Sequence, residues 1–181
     1  MKVERTAIVE VLILEPRIFG DTRGYFYESY NRLEFARATG LDVEFVQDNH
    51  SRSGKNVLRG LHYQIRRPQG KLVRVTAGEV WDVAVDLRRG SASFGRWVGA
   101  RLDADARRML WIPGGFAHGF VVLSEHAEVL YKATDYYAPE HERTLLWNDP
   151  ALAIAWPLAG EPVMTDKDRR GTPLARAETF D

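Results

Sequence analysis

The 181 residues contain no cysteine. That excludes disulfides, thiolate nucleophiles and thiolate metal ligands together. Net charge is also missing, because 25 Lys and Arg face 25 Asp and Glu. A nucleic-acid binder carries a basic footprint, so this balance argues against such a partner while leaving room for a local basic pocket. No apolar run reaches the length of a membrane span. The first residues, Met1-Lys2-Val3-Glu4-Arg5, include an acid and no signal-like apolar stretch. Repeats, linkers and low-complexity segments are absent as well. These absences lead to the expectation of a soluble cytoplasmic protein with one domain over residues 1–181.

What is present reads as strands. Ala7–Leu14, Tyr25–Tyr30, Leu72–Val75, Val80–Asp86, Trp97–Leu102 and Met109–Ile112 are short β-prone runs. Gly119–Leu123, Glu128–Thr134 and Thr144–Trp147 continue the series. Turn residues recur between them, as in Arg89-Gly90-Ser91 and Pro113-Gly114-Gly115. Many short strands at this spacing predict a sandwich or barrel. One helix is expected, capped by Asn31 with Glu34 three residues on and ended by Gly40. The Pro- and charge-rich tail from Pro157 is expected to wrap the surface.

Polar residues sit where strands do not need them. Arg59 and His62 interrupt Val57–Ile65, and Lys71 opens the next strand. Strict alternation puts Arg59 and His62 on opposite faces. A bulge at Gly60 would bring them together. Around Trp81 one face carries Trp81, Val83, Val85 and Leu87, and the other Asp82, Ala84 and Asp86. Those carboxylates face either solvent or a polar cavity. Pro113-x-Gly115-x-x-His118 has the spacing of the second half of a cupin metal signature. The first half wants two histidines two apart, and here the places hold His62 and Gln64, which weighs against a metal. Tyr131 reads as a core tyrosine or as a cavity acid–base group. Tyr136-Tyr137 would suit stacking on a flat ring. Asp168, in Thr165-Asp166-Lys167-Asp168, reads by itself as part of a solvated loop.

Taken in order, several segments resemble the dTDP-4-dehydrorhamnose 3,5-epimerase family. They are Gly20-Asp21-x-Arg23-Gly24-x-Phe26-x-Glu28, Gln47–Ser51, Val57–Gln64 and Gln69–Val73. Asp82–Arg88, Pro113–Phe120, Tyr131-Lys132 and Lys167-Asp168 complete the set, which spans nearly the whole chain. The resemblance implies an all-β, cupin-like jelly-roll barrel with a few short helices, a homodimer, and no metal or cofactor. It implies His62 as the base, Tyr131 as the acid on the opposite face, and Lys71 near the substrate's C4 oxygen. Asp168 would orient His62, with Asp82 the other candidate. Arg23, Glu28, Gln47, Asn49, Arg59, His118, Glu142 and Lys167 match positions used around the nucleotide and sugar. Tyr137 matches a position that stacks on thymine. Arg23 and Glu28 would reach across the dimer from an exchanged N-terminal strand.

The chemistry agrees with that resemblance. In a 4-keto sugar both C3 and C5 lie beside the carbonyl, so each proton can leave if the enolate oxygen is stabilised. A neutral histidine suits the first task and a preorganised cation the second. Arginines suit a diphosphate. The rival readings are a C3-only or C5-only epimerase, a metal-dependent cupin, and a non-catalytic sugar-binding cupin.

Overall fold

The structure is a computed structural model, and it describes residues 1–181. In chain order it comprises β1 Lys2–Arg5, β2 Leu12–Glu15, β3 Phe19–Asp21, β4 Gly24–Phe26 and α1 Arg32–Thr39. Then come β5 Gln47–Gly54, β6 Leu58–Gln64, β7 Lys71–Ala77, β8 Glu79–Asp86 and β9 Trp97–Asp103. They are followed by β10 Met109–Ile112, β11 Phe116–Val122, β12 His126–Ala133, β13 Glu142–Thr144 and α2 Asp166–Arg169. Two antiparallel sheets face each other, ordered β1-β2-β10-β7-β12-β5 and β13-β6-β11-β8-β9. The strand pattern predicts a sandwich or barrel, and this is the cupin-like jelly roll that the family resemblance implies. A separate hairpin, β3-β4, pairs with neither sheet.

Alternation along each strand sends one set of side chains between the sheets. Val73, Val75, Leu110, Ile112 and Val129 from one sheet meet Val80, Ala84, Leu102, Phe120 and Val122 from the other. Burial of each large apolar side chain contributes roughly 1.5–3 kcal/mol. The outer face of the larger sheet is covered by α1 and its flanks, where Phe35, Phe45 and Trp111 pack edge to face. The outer face of the smaller sheet is covered by the C-terminal segment, with Leu145, Leu152, Leu174 and Phe180 against Val83, Val85 and Leu87. Helix α1 has the expected ends: Asn31 Oδ1 accepts from Glu34 N at 3.2 Å, and Gly40 is left-handed at φ 76°.

Several elements differ from expectation. Ala7–Leu14 is broken, because the Thr6 hydroxyl accepts from Ile8 N and Val11 N donates to Ile8 O, closing a turn. The run at Tyr25 is a strand only to Phe26, and Thr144–Trp147 keeps only Thr144 within β13. Strand β11 starts at Phe116, three residues before the expected Gly119, so His118 lies inside the strand. Polar β5, Gln-Asp-Asn-His-Ser-Arg-Ser-Gly, carries no strand signal; its pairing with all of β12 makes it one. The tail is more than a surface wrap. Parallel bridges tie Val163 to Val57 and Thr172 to Leu145, anchoring it beside β6 and β13. No helix is long and apolar enough to cross a membrane.

Candidate active site

A cavity of about 440 Å³ opens between the sheets and is lined by Arg59, His62, Lys71, His118, Tyr131, Lys167 and Asp168 among others. The bulge at Gly60 makes this possible. His118 pairs with His62 but Phe120 pairs with Arg59, so β6 has one residue more than β11 across that step. Arg59 and His62 therefore share the cavity face. Only glycine fits the step. Gly60 has φ +117°, and a Cβ there would lie 2.6 Å from the Gly119 Cα.

Two histidine–carboxylate pairs stand side by side on this sheet. His62 Nε2 lies 2.7 Å from Asp168 Oδ1, and Gly60 N donates to Asp168 Oδ2 at 3.5 Å. His118 Nε2 lies 2.9 and 3.0 Å from the two Asp82 oxygens. Asp168 is thus the partner of His62; Asp82, the other candidate, belongs to His118. Asp168 is 3% exposed, which corrects the solvated-loop reading. It sits on α2, whose Thr165 cap accepts from Asp168 N. Asp82 and Asp86 are both 0% exposed, so neither faces solvent. Asp82 lies by the cavity, whereas Asp86 is bound by Arg88 and Ser93 at the far end of β8.

The opposite wall comes from the larger sheet. Tyr131 on β12 has its ring centroid 6.4 Å from that of His118. Lys71 Nζ lies 5.7 Å from the Tyr131 ring centroid. Lys71 is 9% exposed and forms no ion pair. At the rim, Glu142 Oε2 accepts from Lys167 Nζ at 2.8 Å and from Tyr137 Oη at 3.2 Å. Gln47 Oε1 accepts from Tyr137 N at 2.9 Å, and Gln47 Nε2 donates to Asn49 Oδ1 at 3.0 Å. Asn49 Nδ2 is buried without a partner. Two expected residues are not brought in. Arg23 pairs with Asp21 on the β3-β4 hairpin, and Glu28 accepts from Asn31 beside α1. Several lining residues were not site candidates in the sequence reading, among them Ser51, Val163, Met164 and Thr165. The i, i+3 relation of Thr165 and Asp168 was the available signal for the last, as a helix cap.

The metal question turns on the donors. Gln64, in the place of a second histidine, instead ties the loop after β6 to the loop after β12, donating to Arg67 O and accepting from Ala138 N. No group of three or more His, Asp and Glu is arranged to hold an ion.

The family model described as dTDP-4-dehydrorhamnose 3,5-epimerase matches residues 5–176. The chain belongs to that family. The Pseudomonas aeruginosa enzyme of that name is 64% identical over 99% of both chains. The Salmonella typhimurium one is 58% identical, over 98% of this chain and 97% of that one. A solved dTDP-6-deoxy-D-glucose-3,5-epimerase from Legionella pneumophila superposes with a TM-score of 0.95 at 52% identity. It covers 97% of this chain and 93% of its own, and it was solved with dTDP-4-keto-L-rhamnose. The family is one of isomerases.

The electrostatics of this epimerase-family site follow from burial. Burial pushes the Asp168 carboxyl up, but the hydrogen bond and charge of His62, with Gly60 N and Lys167, hold it below the ordinary range. An ionised carboxylate only accepts, so the hydrogen between the two groups sits on His62 Nε2, and Nδ1 is the nitrogen left toward the cavity. Burial holds His118 below the ordinary histidine range despite Asp82, so His118 is neutral near pH 7. Burial pulls the Lys71 ammonium from 10.5 down to about 8, while Asp82 and Glu142 oppose the fall. Burial and the Glu142 charge push the Tyr131 phenol up, keeping it protonated. The cavity thus presents the Nδ1 side of the His62 ring on one wall, a phenolic proton on the other, and a buried cation beside them.

Proposed function

We propose that this chain inverts C3 and C5 of a dTDP-4-keto-6-deoxyhexose, converting dTDP-4-dehydro-6-deoxyglucose to dTDP-4-dehydro-L-rhamnose in deoxysugar biosynthesis. The observation that carries the reading is the His62–Asp168 pair on one wall with Tyr131 on the other. His62 Nδ1 removes the proton beside the ketone, and the C–H electron pair becomes the enolate with its charge on O4. Lys71 stabilises that oxygen, in a site where a fixed charge acts more strongly than in water. Tyr131 then protonates the carbon from the opposite face. Solvent restores His62 and Tyr131 between the two inversions. No cofactor takes part in these steps. Arg59 and Lys167 suit the diphosphate, Tyr137 suits stacking on the thymine ring, and Gln47, Asn49, His118 and Glu142 surround nucleotide and sugar.

Incubating dTDP-4-keto-6-deoxyglucose with the protein in deuterated water tests this directly. Deuterium is expected at both C3 and C5. Label at one carbon alone would make the protein a mono-epimerase, and label at neither would sink the reading.

The same proposal takes in one domain over residues 1–181, a cytoplasmic location and a homodimer. The hairpin β3-β4 supports the dimer, since it exposes Phe19, Tyr25 and Phe26 at 50, 60 and 68% and pairs with neither sheet. Exchange of this N-terminal segment would bring Arg23 and Glu28 to the partner's cavity. Sedimentation should give twice the 20.6 kDa chain mass; a monomer would remove this part.

A further inference from the structure

Strand β5 is an edge strand with one buried side chain. Its outward residues Asp48, His50 and Arg52 are exposed, whereas Ser53 alone is buried, at 7%. The buried hydroxyl has a single partner. Arg59 Nε donates to Ser53 Oγ at 2.9 Å. This bond joins the larger sheet, through β5, to the smaller, through β6, beside the cavity. Arg59 makes no other side-chain hydrogen bond, and no carboxylate lies within ion-pair reach of it.

The geometry of guanidinium gives this bond a consequence. The group presents its donors as a rigid planar fork, with one side edge through Nε and one end edge formed by the two Nη atoms. Binding Nε to Ser53 occupies the side edge and fixes the plane. Only the end edge then remains for a bidentate pair with an anion. A long, flexible side chain held this way also loses less freedom when a ligand arrives.

We propose that Ser53 is a positioning residue for phosphate recognition, fixing Arg59 so that its two Nη groups take diphosphate oxygens end-on. This rests on the dTDP-sugar reading above. Titration calorimetry with dTDP tests it on four proteins: wild type, Ser53→Ala, Arg59→Ala and the double variant. Ser53→Ala should weaken dTDP binding about 3- to 10-fold, the cost of ordering one freed long side chain when the ligand arrives. Ser53→Thr, which keeps the hydroxyl, should restore it to within about 2-fold. In the Arg59→Ala background the Ser53→Ala change should have no further effect, because the group it orients is gone. Equal binding by wild type and Ser53→Ala, or full additivity in the double variant, overturns the proposal and leaves the nucleotide reading standing. A wild type that does not bind dTDP overturns both.

Discussion

His62 draws its chemistry from a residue 106 positions away in sequence. The Asp168 carboxylate accepts a hydrogen bond from His62 Nε2, which leaves Nδ1 as the nitrogen turned toward the cavity. Replacing His62 by Ala should lower deuterium exchange by about 10²–10⁴-fold, the worth of a positioned base, with dTDP binding kept. Asp168→Asn should keep the fold and reduce exchange as well, because an amide can donate to Nε2 and favour the wrong tautomer. Single-turnover exchange measured by NMR checks both. Lys71 gives a prediction in pH. Its folded value of about 8 lies below the ordinary 10.5, so the cation is present below pH 8 and is lost above it. The basic limb of kcat/KM should therefore fall near pH 8, reporting the free enzyme. Asp82 supports the charged form, so Asp82→Asn should move that limb to lower pH. A limb that stays in place would mean that Lys71 does not set it.

At the scale of elements, the step at Gly60 decides whether a site exists. Arg59 and His62 would diverge on a regular strand, and the extra residue on β6 turns them together. Gly60 and Gly119 face each other there with no space for a methyl group. Gly60→Ala combines a backbone clash with φ +117°, and it should cost at least about 2 kcal/mol of stability. A urea midpoint within error of wild type would show that the bulge can relax. Strand β5 makes the complementary point. Its own residues favour loop, but eight paired positions on β12 hold it extended, and its inward side then carries Gln47, Asn49, Ser51 and Ser53, with Ser51 lining the cavity and Ser53 bonded to Arg59.

For the whole molecule, the C-terminal segment both covers the smaller sheet and carries Asp168 to the cavity. The side chains that shield Val83, Val85 and Leu87 belong to the strap that carries Asp168. Leu145 is fully buried, donates from its backbone to Leu61 O at 2.8 Å, and pairs with Thr172. Leu145→Ala should cost about 2–5 kcal/mol through the cavity it leaves. Because the strap sets Asp168 against His62, activity should fall at temperatures where far-UV circular dichroism is still native. Parallel loss of the two signals would separate cover from catalysis.

The sequence by itself determined the all-β class, the helix with its Asn31 and Gly40 ends, and the residues capable of the chemistry. Those depend on local periodicity, capping and side-chain type, which neighbours in sequence settle. It also raised the bulge at Gly60, since a glycine inside a strand pattern has few other uses. Only the tertiary structure decided which carboxylate serves which histidine. The resemblance puts Asp168 first and Asp82 second as the partner of His62, and sequence leaves the choice open; β8 brings Asp82 to His118 and the C-terminal segment brings Asp168 to His62. The same holds for β5, which is a strand by pairing alone. Burial decided the remainder. Lys71 is an ordinary cation in sequence, and its fall to about 8 comes from the sheets that enclose it. Contacts between distant segments and the solvent they exclude are set by the closed barrel, and no local pattern encodes them.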